Sequence, residues 1–277
     1  VPTVHLSNTL RTALRTYAAT NGATASISPY YADFSAVAPQ MASFSSRGPS
    51  LANINILKPD ITAPGVDVLA ALTYIPANAA EQAAIVAGAY PPAQFAFEQG
   101  TSMSSPHIAG IAAVLRQAHP DWTPAVIQSA MMTSTTAVLL ANGTPDPARF
   151  GYGAGHVNPN GATATTLAYD AWLGDYIAFL CGAGSLNPGG GTCQSFGAIA
   201  PWNLNLASLT SEVVGAQQIW RTVTNVGSSA ATYTASASVP GYSVSVSPSS
   251  LTLAPGEQGS FALSALRRPG RGSVLPS

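Results

Sequence analysis

Residues 99–107 read QGTSMSSPH and place a serine, Ser102, two residues after a glycine. Gly100 allows a sharp turn into a helix, and Ser102 then lies at or near the N-terminus of that helix. The free backbone N–H groups and the positive end of the helix dipole stabilise negative charge there. This arrangement suits a nucleophilic hydroxyl whose acyl adduct develops an oxyanion. A lone serine before a helix is more often only an N-cap, so a nucleophile would also need a base nearby.

None of the four histidines is predicted to be that base. His107 follows Ser102 by five residues, which on a helix puts it about 140° around the axis and facing away from the serine. His119 is expected at the end of the same helix, roughly 25 Å from Ser102. His156 lies in a glycine-rich loop, and His5 has no acidic residue nearby in the sequence, so neither is a candidate base.

Hydrophobic spacing predicts the elements that carry Ser102. Apolar residues at helical spacing indicate one buried helix from Ser102 to about His119. Pro106 is placed in the first turn of this helix, where its missing N–H matters little. Thr123 followed by Pro124 predicts the start of a second helix, with the threonine as its N-cap.

The rest of the chain is predicted to contain one more helix and several strands. Residues 9–19 favour a helix, residues 23–30 an alternating strand, and the short apolar runs of 39–71 buried strands with loops. After about residue 200, period-two alternation between Gly, Pro and Ser turns indicates a β-sandwich. Residues 267–277 have no strand signal, so we expect an irregular tail and a sandwich without its final strands.

Composition argues against several classes of partner and cofactor. Only 8% of the residues are charged and the formal net charge is −1, so the charge balance does not favour nucleic acid or an anionic membrane. No apolar run approaches the ~18 residues of a membrane span. The opening VPTVHLSNTL lacks the features of a signal peptide. No cluster of residues has metal-ligand spacing, so no metal or other cofactor is expected.

The chain has two cysteines, Cys181 and Cys193, in a glycine-rich segment. Their spacing permits a loop that joins them, but it is equally compatible with two free thiols. The absence of any other cysteine or of a nearby histidine argues against zinc. We therefore predict one disulfide and, with it, an oxidising, extracellular environment.

The sequence around Ser102, GTSMSSPHIAGIAAVL, resembles the serine-nucleophile motif of the subtilisin-like serine proteases, peptidase family S8. Other segments resemble the same family in the same order: ASFSSRGP at 42–49, LKPDITAPGVDVLAA at 57–71, HPDWTPAVIQSAMMTST at 119–135 and FGYGAGHVNPNGA at 150–162. The similarity is greatest to the plant-type, cucumisin-like branch of the family. A match over so many ordered positions is highly specific.

The resemblance implies an α/β fold: the C-terminal half of a subtilisin-like parallel-sheet domain, followed by a partial fibronectin-III-like β-sandwich. It implies the end of a protease-associated insert at 1–38 and the catalytic half-domain at 39–165. A linker with the cysteine loop is expected at 166–200, the sandwich at 201–266 and the irregular tail at 267–277.

The resemblance also implies the site residues. Of the Asp–His–Ser triad of the family, only the serine falls on this sequence, at Ser102, with Gly100, Thr101 and Pro106 as supporting residues of the motif. The Asp and His motifs and the oxyanion-hole Asn of the family precede the segment that resembles this chain. The activating groups are therefore expected in a missing N-terminal part of the same polypeptide.

The leading hypothesis is the C-terminal part of a secreted serine endopeptidase that hydrolyses protein or peptide substrates through an acyl-enzyme on Ser102. By itself the chain is expected to be inactive, because it lacks the triad Asp and His. The alternative is an inactive fragment or pseudo-enzyme that acts as a binding module through its β-sandwich. An α/β-hydrolase is excluded, because GTSMS lacks the second glycine of the nucleophile elbow.

Overall fold

The computed structural model describes residues 11–26, 36–89, 94–212 and 215–268. The chain divides into two compact units, Val1–Ala36 and Val37–Ser277. In the first unit, helix α1 (Arg11–Ala18) forms within the predicted range. Residues 23–26 of the predicted strand form no regular element, and the rest of that strand lies outside the described residues.

The second unit begins with helices and a small ribbon and ends in strands. In chain order it contains β1 (Val68–Leu72), α2 (Ala79–Val86), β2 (Gln94–Glu98), α3 (Thr101–Ala118), α4 (Pro124–Thr133), α5 (Arg149–Tyr152), α6 (Pro159–Thr163), β3 (Leu167–Tyr169), α7 (Leu173–Gly182), α8 (Gly191–Phe196), a 3₁₀ turn (Pro201–Asn203), β4 (Ala216–Asn225), β5 (Ala231–Thr234), β6 (Tyr242–Ser247), β7 (Ser250–Leu253) and β8 (Gln258–Arg267). This order agrees with an α/β domain followed by a β-sandwich.

The core of the helical part lies between α3 and α4. Leu115 of α3 and Trp122 of the connection are buried there against the apolar residues of α4. Thr123 caps α4 as predicted, because its Oγ1 accepts a hydrogen bond from the Val126 N–H at 3.1 Å. Pro124 occupies the first helical position, which its fixed φ and missing N–H suit.

Helix α3 is only partly buried, which corrects the expectation of a buried helix. Leu115 is the one residue of α3 that is fully buried, whereas Val114 is 62% exposed. Ile108, Ile111 and Ala112 are partly buried against the core. Neighbouring residues of a helix point about 100° apart, so Val114 lies beyond the edge of the stripe that contains Leu115.

The predicted buried strands of 39–71 were wrong for most of that range. Within it, β1 is the one described strand, and Thr62 makes a single parallel bridge with His156. Phe44, in the middle of one apolar run, is 48% exposed. Glycine and proline interrupt these runs, so their backbone groups bond instead to loops such as the one that contains Gly155. The paired strands of the described part are antiparallel.

The β-sandwich predicted after residue 200 is confirmed. One antiparallel sheet has the strand order β3–β4–β8–β6, and β5 pairs with β7 in a second sheet. Strand β4 alternates between exposed and buried residues over much of its length, so Ile219 and Val223 face the interior. Of the predicted tail, the structure describes Arg267, which ends β8, and Arg268; residues 269–277 lie outside the described part.

Residues 166–200, which were expected to be a linker, form regular structure that connects the helical part with the sandwich. Strand β3 pairs with β4 at the edge of the larger sheet, and its Tyr169 N–H donates to Ser129 Oγ of α4 at 2.9 Å. A disulfide joins α7 to α8, with the sulfur atoms of Cys181 and Cys193 2.01 Å apart. Composition alone did not predict this regular structure, because the glycine-rich stretch between α7 and α8 is typical of a linker.

Candidate active site

Ser102 is the second residue of α3 and is exposed. Gly100 precedes the helix with φ 154° and ψ 162°, a conformation that residues with a side chain rarely adopt. The Gly100 carbonyl accepts the first bond of the helix, from the Met103 N–H at 3.0 Å. Among the described residues, neither the hydroxyl nor the backbone N–H of Ser102 has a hydrogen-bond partner. Both groups are therefore free to meet a substrate.

The segment around Gly65 supports the start of α3. The Gly100 N–H donates to the Gly65 carbonyl at 2.8 Å. A Cβ atom on residue 65 would lie 2.1 Å from Ser104 Oγ and 2.9 Å from the Gly100 carbonyl oxygen. Only glycine permits this approach, so Gly65 helps to define where the backbone of Ser102 lies. The sequence alone did not indicate this role, because it depends on a contact between residues far apart in the chain.

Pro106 lies in the second turn of α3, not in the first turn as predicted. It is the sixth residue of a helix that begins at Thr101. In a regular helix its N–H would bond to the carbonyl of Ser102, four residues earlier. Proline has no N–H, so the Ser102 carbonyl lacks that helical bond. Pro106 thus removes one hydrogen bond from the helical turn that contains Ser102.

A cleft of about 350 Å³ adjoins the first turns of α3. Thr101, Ser104 and Ser105 line it on the helix side, and apolar side chains such as Phe44 and Ile61 line it elsewhere. Ser102 is not among its lining residues, so the exposed hydroxyl and this cleft are separate features.

The three described histidines have structural contacts. His107 Nδ1 lies 2.7 Å from the Met103 carbonyl oxygen, which holds the ring along the helix. His119 stacks on Trp122 with ring centres 3.8 Å apart, and its Nε2 lies 3.2 Å from the Thr163 carbonyl oxygen. None of the three has a hydrogen bond to Ser102.

His156 joins two segments through its backbone, which bridges Thr62 and Thr136. Burial lowers the pKa of its imidazole below the usual value of 6.5, because the charged form loses hydration. His5 lies outside the described residues. The structure thus brings no described histidine into hydrogen-bond contact with the candidate nucleophile.

The carboxylate of Asp60 is also engaged elsewhere. Asp60 pairs with Lys58 at 2.5 Å, and its carbonyl accepts the Ala154 N–H at 3.0 Å. Within the described ranges, no group of His, Cys, Asp and Glu could hold a metal ion. No helix in those ranges is long and apolar enough to cross a membrane.

Comparison with known proteins places this geometry in a family. Residues 3–155 match the model of the subtilase family, and this range includes Ser102 and the motif around it. The chain belongs to the subtilase family. Residues 203–273 of this subtilase chain match a fibronectin type-III domain. The plant-type resemblance and the expected combination of folds are both supported.

Several plant relatives are similar to this subtilase chain. Subtilisin-like protease SBT2.5 of Arabidopsis thaliana is 38% identical over 234 residues, which cover 76% of this chain and 27% of the relative. Subtilisin-like protease SBT4.11 of the same plant is 38% identical over 65% of this chain and 25% of its own length. Subtilisin-like protease Glyma18g48580 of Glycine max is 41% identical over 72% of this chain. This chain spans about a quarter of the length of SBT2.5 and SBT4.11.

Proposed function

We propose that these residues form the serine-bearing, C-terminal part of a serine endopeptidase that hydrolyses protein or peptide substrates through an acyl-enzyme on Ser102. One observation carries the proposal. Ser102 is exposed at the N-terminus of α3, within the range that matches the subtilase family. Gly100 and Pro106 support it, because they determine how the backbone enters the helix and how its first turns are bonded, and Thr101 is the first residue of that helix.

In the proposed reaction Ser102 Oγ attacks the carbonyl carbon of a peptide bond, and the carbonyl oxygen becomes an oxyanion. The unpaired N–H of Ser102 is placed to donate to that oxygen, and the positive end of the α3 dipole favours its charge. The proton of the hydroxyl must pass to a base. His107 is bonded to the Met103 carbonyl, so we assign the base and its orienting carboxylate to a part of the polypeptide outside these residues.

The proposal extends to domain organisation and location. Residues 1–38 would be the end of a protease-associated insert and the return to the core, and 39–165 the catalytic half-domain. A secreted protein is favoured by the Cys181–Cys193 disulfide, since such bonds persist in oxidising compartments. The missing N-terminal part of the same polypeptide would be the necessary partner.

Labelling with a fluorophosphonate, which reacts with activated serines, tests the proposal. The 277-residue chain and a version extended by its own upstream coding sequence would be compared, each with a Ser102→Ala variant. We expect labelling and casein hydrolysis in the extended protein alone, because removing triad partners costs several powers of ten in rate. Ser195→Ala is the control, since Ser195 is an exposed helical serine of α8.

Three results would contradict the proposal in different ways. Brisk labelling of the 277-residue chain that is lost in Ser102→Ala would mean that the base lies within these residues. A folded extended protein whose labelling persists in Ser102→Ala would remove Ser102 as the nucleophile. If the extended protein is inert, the alternative of a non-catalytic binding module becomes the better account.

A further inference from the structure

The outer sheet face is the solvent-side surface of the larger sheet formed by alternate residues of three paired strands, within 216–224, 258–266 and 243–247. Strands β4 and β8 contribute five side chains each and β6 contributes three. Seven of these are Ser or Thr, two Gln, two Ala and one Leu, and the remaining one is Trp220. None of them is charged.

Trp220 is the large aromatic residue of this face, and its side chain is 51% exposed. Its cross-strand neighbour is Ala262, a small residue that is only 5% exposed. The backbone N–H of Trp220 donates to Asn203 Oδ1 at 3.0 Å, so β4 is also held at the edge that does not pair with β8. The ring is thus presented on a backbone fixed from both sides, which reduces the entropy lost when a ligand binds.

Arg221 stabilises the same region from the opposite face of the strand. Its guanidinium is buried and donates to the carbonyl oxygens of Trp202, Leu206 and Ser208 at 2.8–2.9 Å. Burial lowers the pKa of Arg221 to about 10, which leaves it charged at neutral pH. These bonds tie the segment after the 3₁₀ turn to β4, next to Trp220.

The polar residues of the outer sheet face are joined across strands. Thr222 Oγ1 and Ser260 Oγ are 2.8 Å apart, and Gln218 Nε2 donates to Ser264 Oγ at 3.3 Å. Hydroxyl and amide oxygens accept more than one hydrogen bond, so these pairs keep capacity for a ligand. They form a flat array of donors and acceptors on both sides of the aromatic ring.

Two shallow depressions lie on the outer sheet face. One of about 580 Å³ is lined by Gln218, Ser245 and Ser264 among others. The second, of about 440 Å³, extends from Trp220 and Thr222 of the face to its rim. At the rim it is lined by Asp170, Asp175 and Trp172, which is 63% exposed. Across three strands the face measures roughly 27 by 10 Å at normal strand spacing, so an extended chain could lie along it.

The chemistry of the face discriminates between classes of ligand. Nucleic acids and anionic polysaccharides need several lysine or arginine side chains. None of the thirteen side chains of the face is basic, and one arginine, Arg268, reaches its edge, where its Nε donates to Ser243 Oγ at 3.4 Å. A membrane-binding surface needs a broad apolar area with basic residues beside it. Protein interfaces are depleted in serine, whereas seven of these side chains are Ser or Thr. Neutral sugars offer apolar ring faces and many hydroxyl groups, which match an exposed indole beside hydroxyl and amide side chains.

We propose that the outer sheet face binds a neutral polysaccharide, with a pyranose ring stacked on Trp220 and the sugar hydroxyls bonded to the Ser, Thr and Gln side chains. Trp172 forms a second aromatic contact at the rim. Binding at this face does not require a reactive Ser102, so it is separable from peptide hydrolysis.

Co-sedimentation of the 277-residue chain with insoluble glycans tests the proposal. The neutral probes are swollen cellulose, β-1,3-glucan and starch granules, and calcium-gelled polygalacturonate is the anionic probe. We expect saturable retention on at least one neutral probe and weaker retention on polygalacturonate. Trp220→Ala should weaken binding about tenfold, the loss expected for a well-packed aromatic contact, while Trp220→Phe should retain part of it.

The controls separate loss of the site from loss of the fold. Phe97→Ala removes an aromatic side chain that is 72% exposed on β2, away from the face, and should bind as the unaltered chain does. If Trp220→Ala unfolds, Gln218→Glu places a charge on the face at an exposed position and should also weaken retention. The proposal fails if no neutral probe retains the chain, or if a folded Trp220→Ala variant binds like Phe97→Ala. It also fails if Trp220→Ala converts an oligomer to a monomer, because the face would then lie between copies of the chain.

Discussion

Replacing Gly65 with alanine tests whether its contact with α3 defines the position of Ser102. The added Cβ atom would lie 2.1 Å from Ser104 Oγ and 2.9 Å from the Gly100 carbonyl oxygen. The serine hydroxyl can rotate away from the first contact. The second contact involves the backbone that begins the helix, and it is relieved only if that backbone moves.

The expected size of the effect follows from two opposing contributions. Overpacking of this kind costs about 1–3 kcal/mol. Alanine also restricts the unfolded chain more than glycine does, which returns about 0.4–1 kcal/mol. We therefore expect Gly65→Ala to lower the free energy of unfolding by about 1–2 kcal/mol. Adding Ser104→Ala should recover part of this loss, because it removes the Oγ atom and leaves the Cβ atom of residue 104, which is 3.4 Å from the added Cβ of residue 65. The contact with the Gly100 carbonyl oxygen would remain.

Urea unfolding followed by circular dichroism measures these differences in the 277-residue chain. Gly110→Ala is the matched control: it lies in α3, the helix that Gly65 contacts, and a Cβ there would meet nothing within 4 Å. It should be neutral or stabilising by up to about 1 kcal/mol, because alanine favours helix. The reasoning is refuted if Gly65→Ala is as stable as the unaltered chain, or if adding Ser104→Ala to Gly65→Ala does not raise its free energy of unfolding.

Two further predictions concern one buried and one half-buried polar group of the second unit. Asn225 is fully buried, and its Nδ2 donates to the carbonyl oxygens of Ser229 and Leu253, both at 2.9 Å. Asn225→Ala leaves these acceptors unpaired and should cost about 2–4 kcal/mol in urea unfolding, whereas exposed Asn142→Ala should cost much less; equal effects would contradict this. Because the pKa of His156 is lowered from 6.5, the folded state binds fewer protons than the unfolded state as the pH falls through that value. Stability should therefore decrease below about pH 6.5, and an unchanged pH slope in His156→Gln would show that another group is responsible.

Local signals in the sequence were sufficient for the helices near the candidate site. Thr123 and Pro124 predicted the start of α4, since capping and a fixed φ act within one turn. The pair of Gly100 and Ser102 likewise predicted a serine at the entry to α3. The family motif added the proposed role of that serine, which no local rule could supply.

Other features depended on residues far apart in the chain. The apolar runs of 39–71 have the composition of strands, but a strand needs a neighbour to complete its backbone hydrogen bonds, and the described residues supply one for β1 alone. Gly65 became a supporting residue only when the fold brought it against Ser104, which lies 39 positions later. Such contacts have no period and no local signature.

The sequence by itself determined the family, the nucleophile candidate and the change from helices to a β-sandwich. These follow from ordered motifs and from hydrophobic periods of about 3.6 and 2 residues, which are local properties. The tertiary structure alone decided which side chains share a surface. The outer sheet face exists because β4, β8 and β6 pair in one register, and that register brings Trp220 between two groups of hydroxyl and amide side chains. Pairing between distant strands sets this arrangement, because a shift of one residue would turn every side chain to the other face.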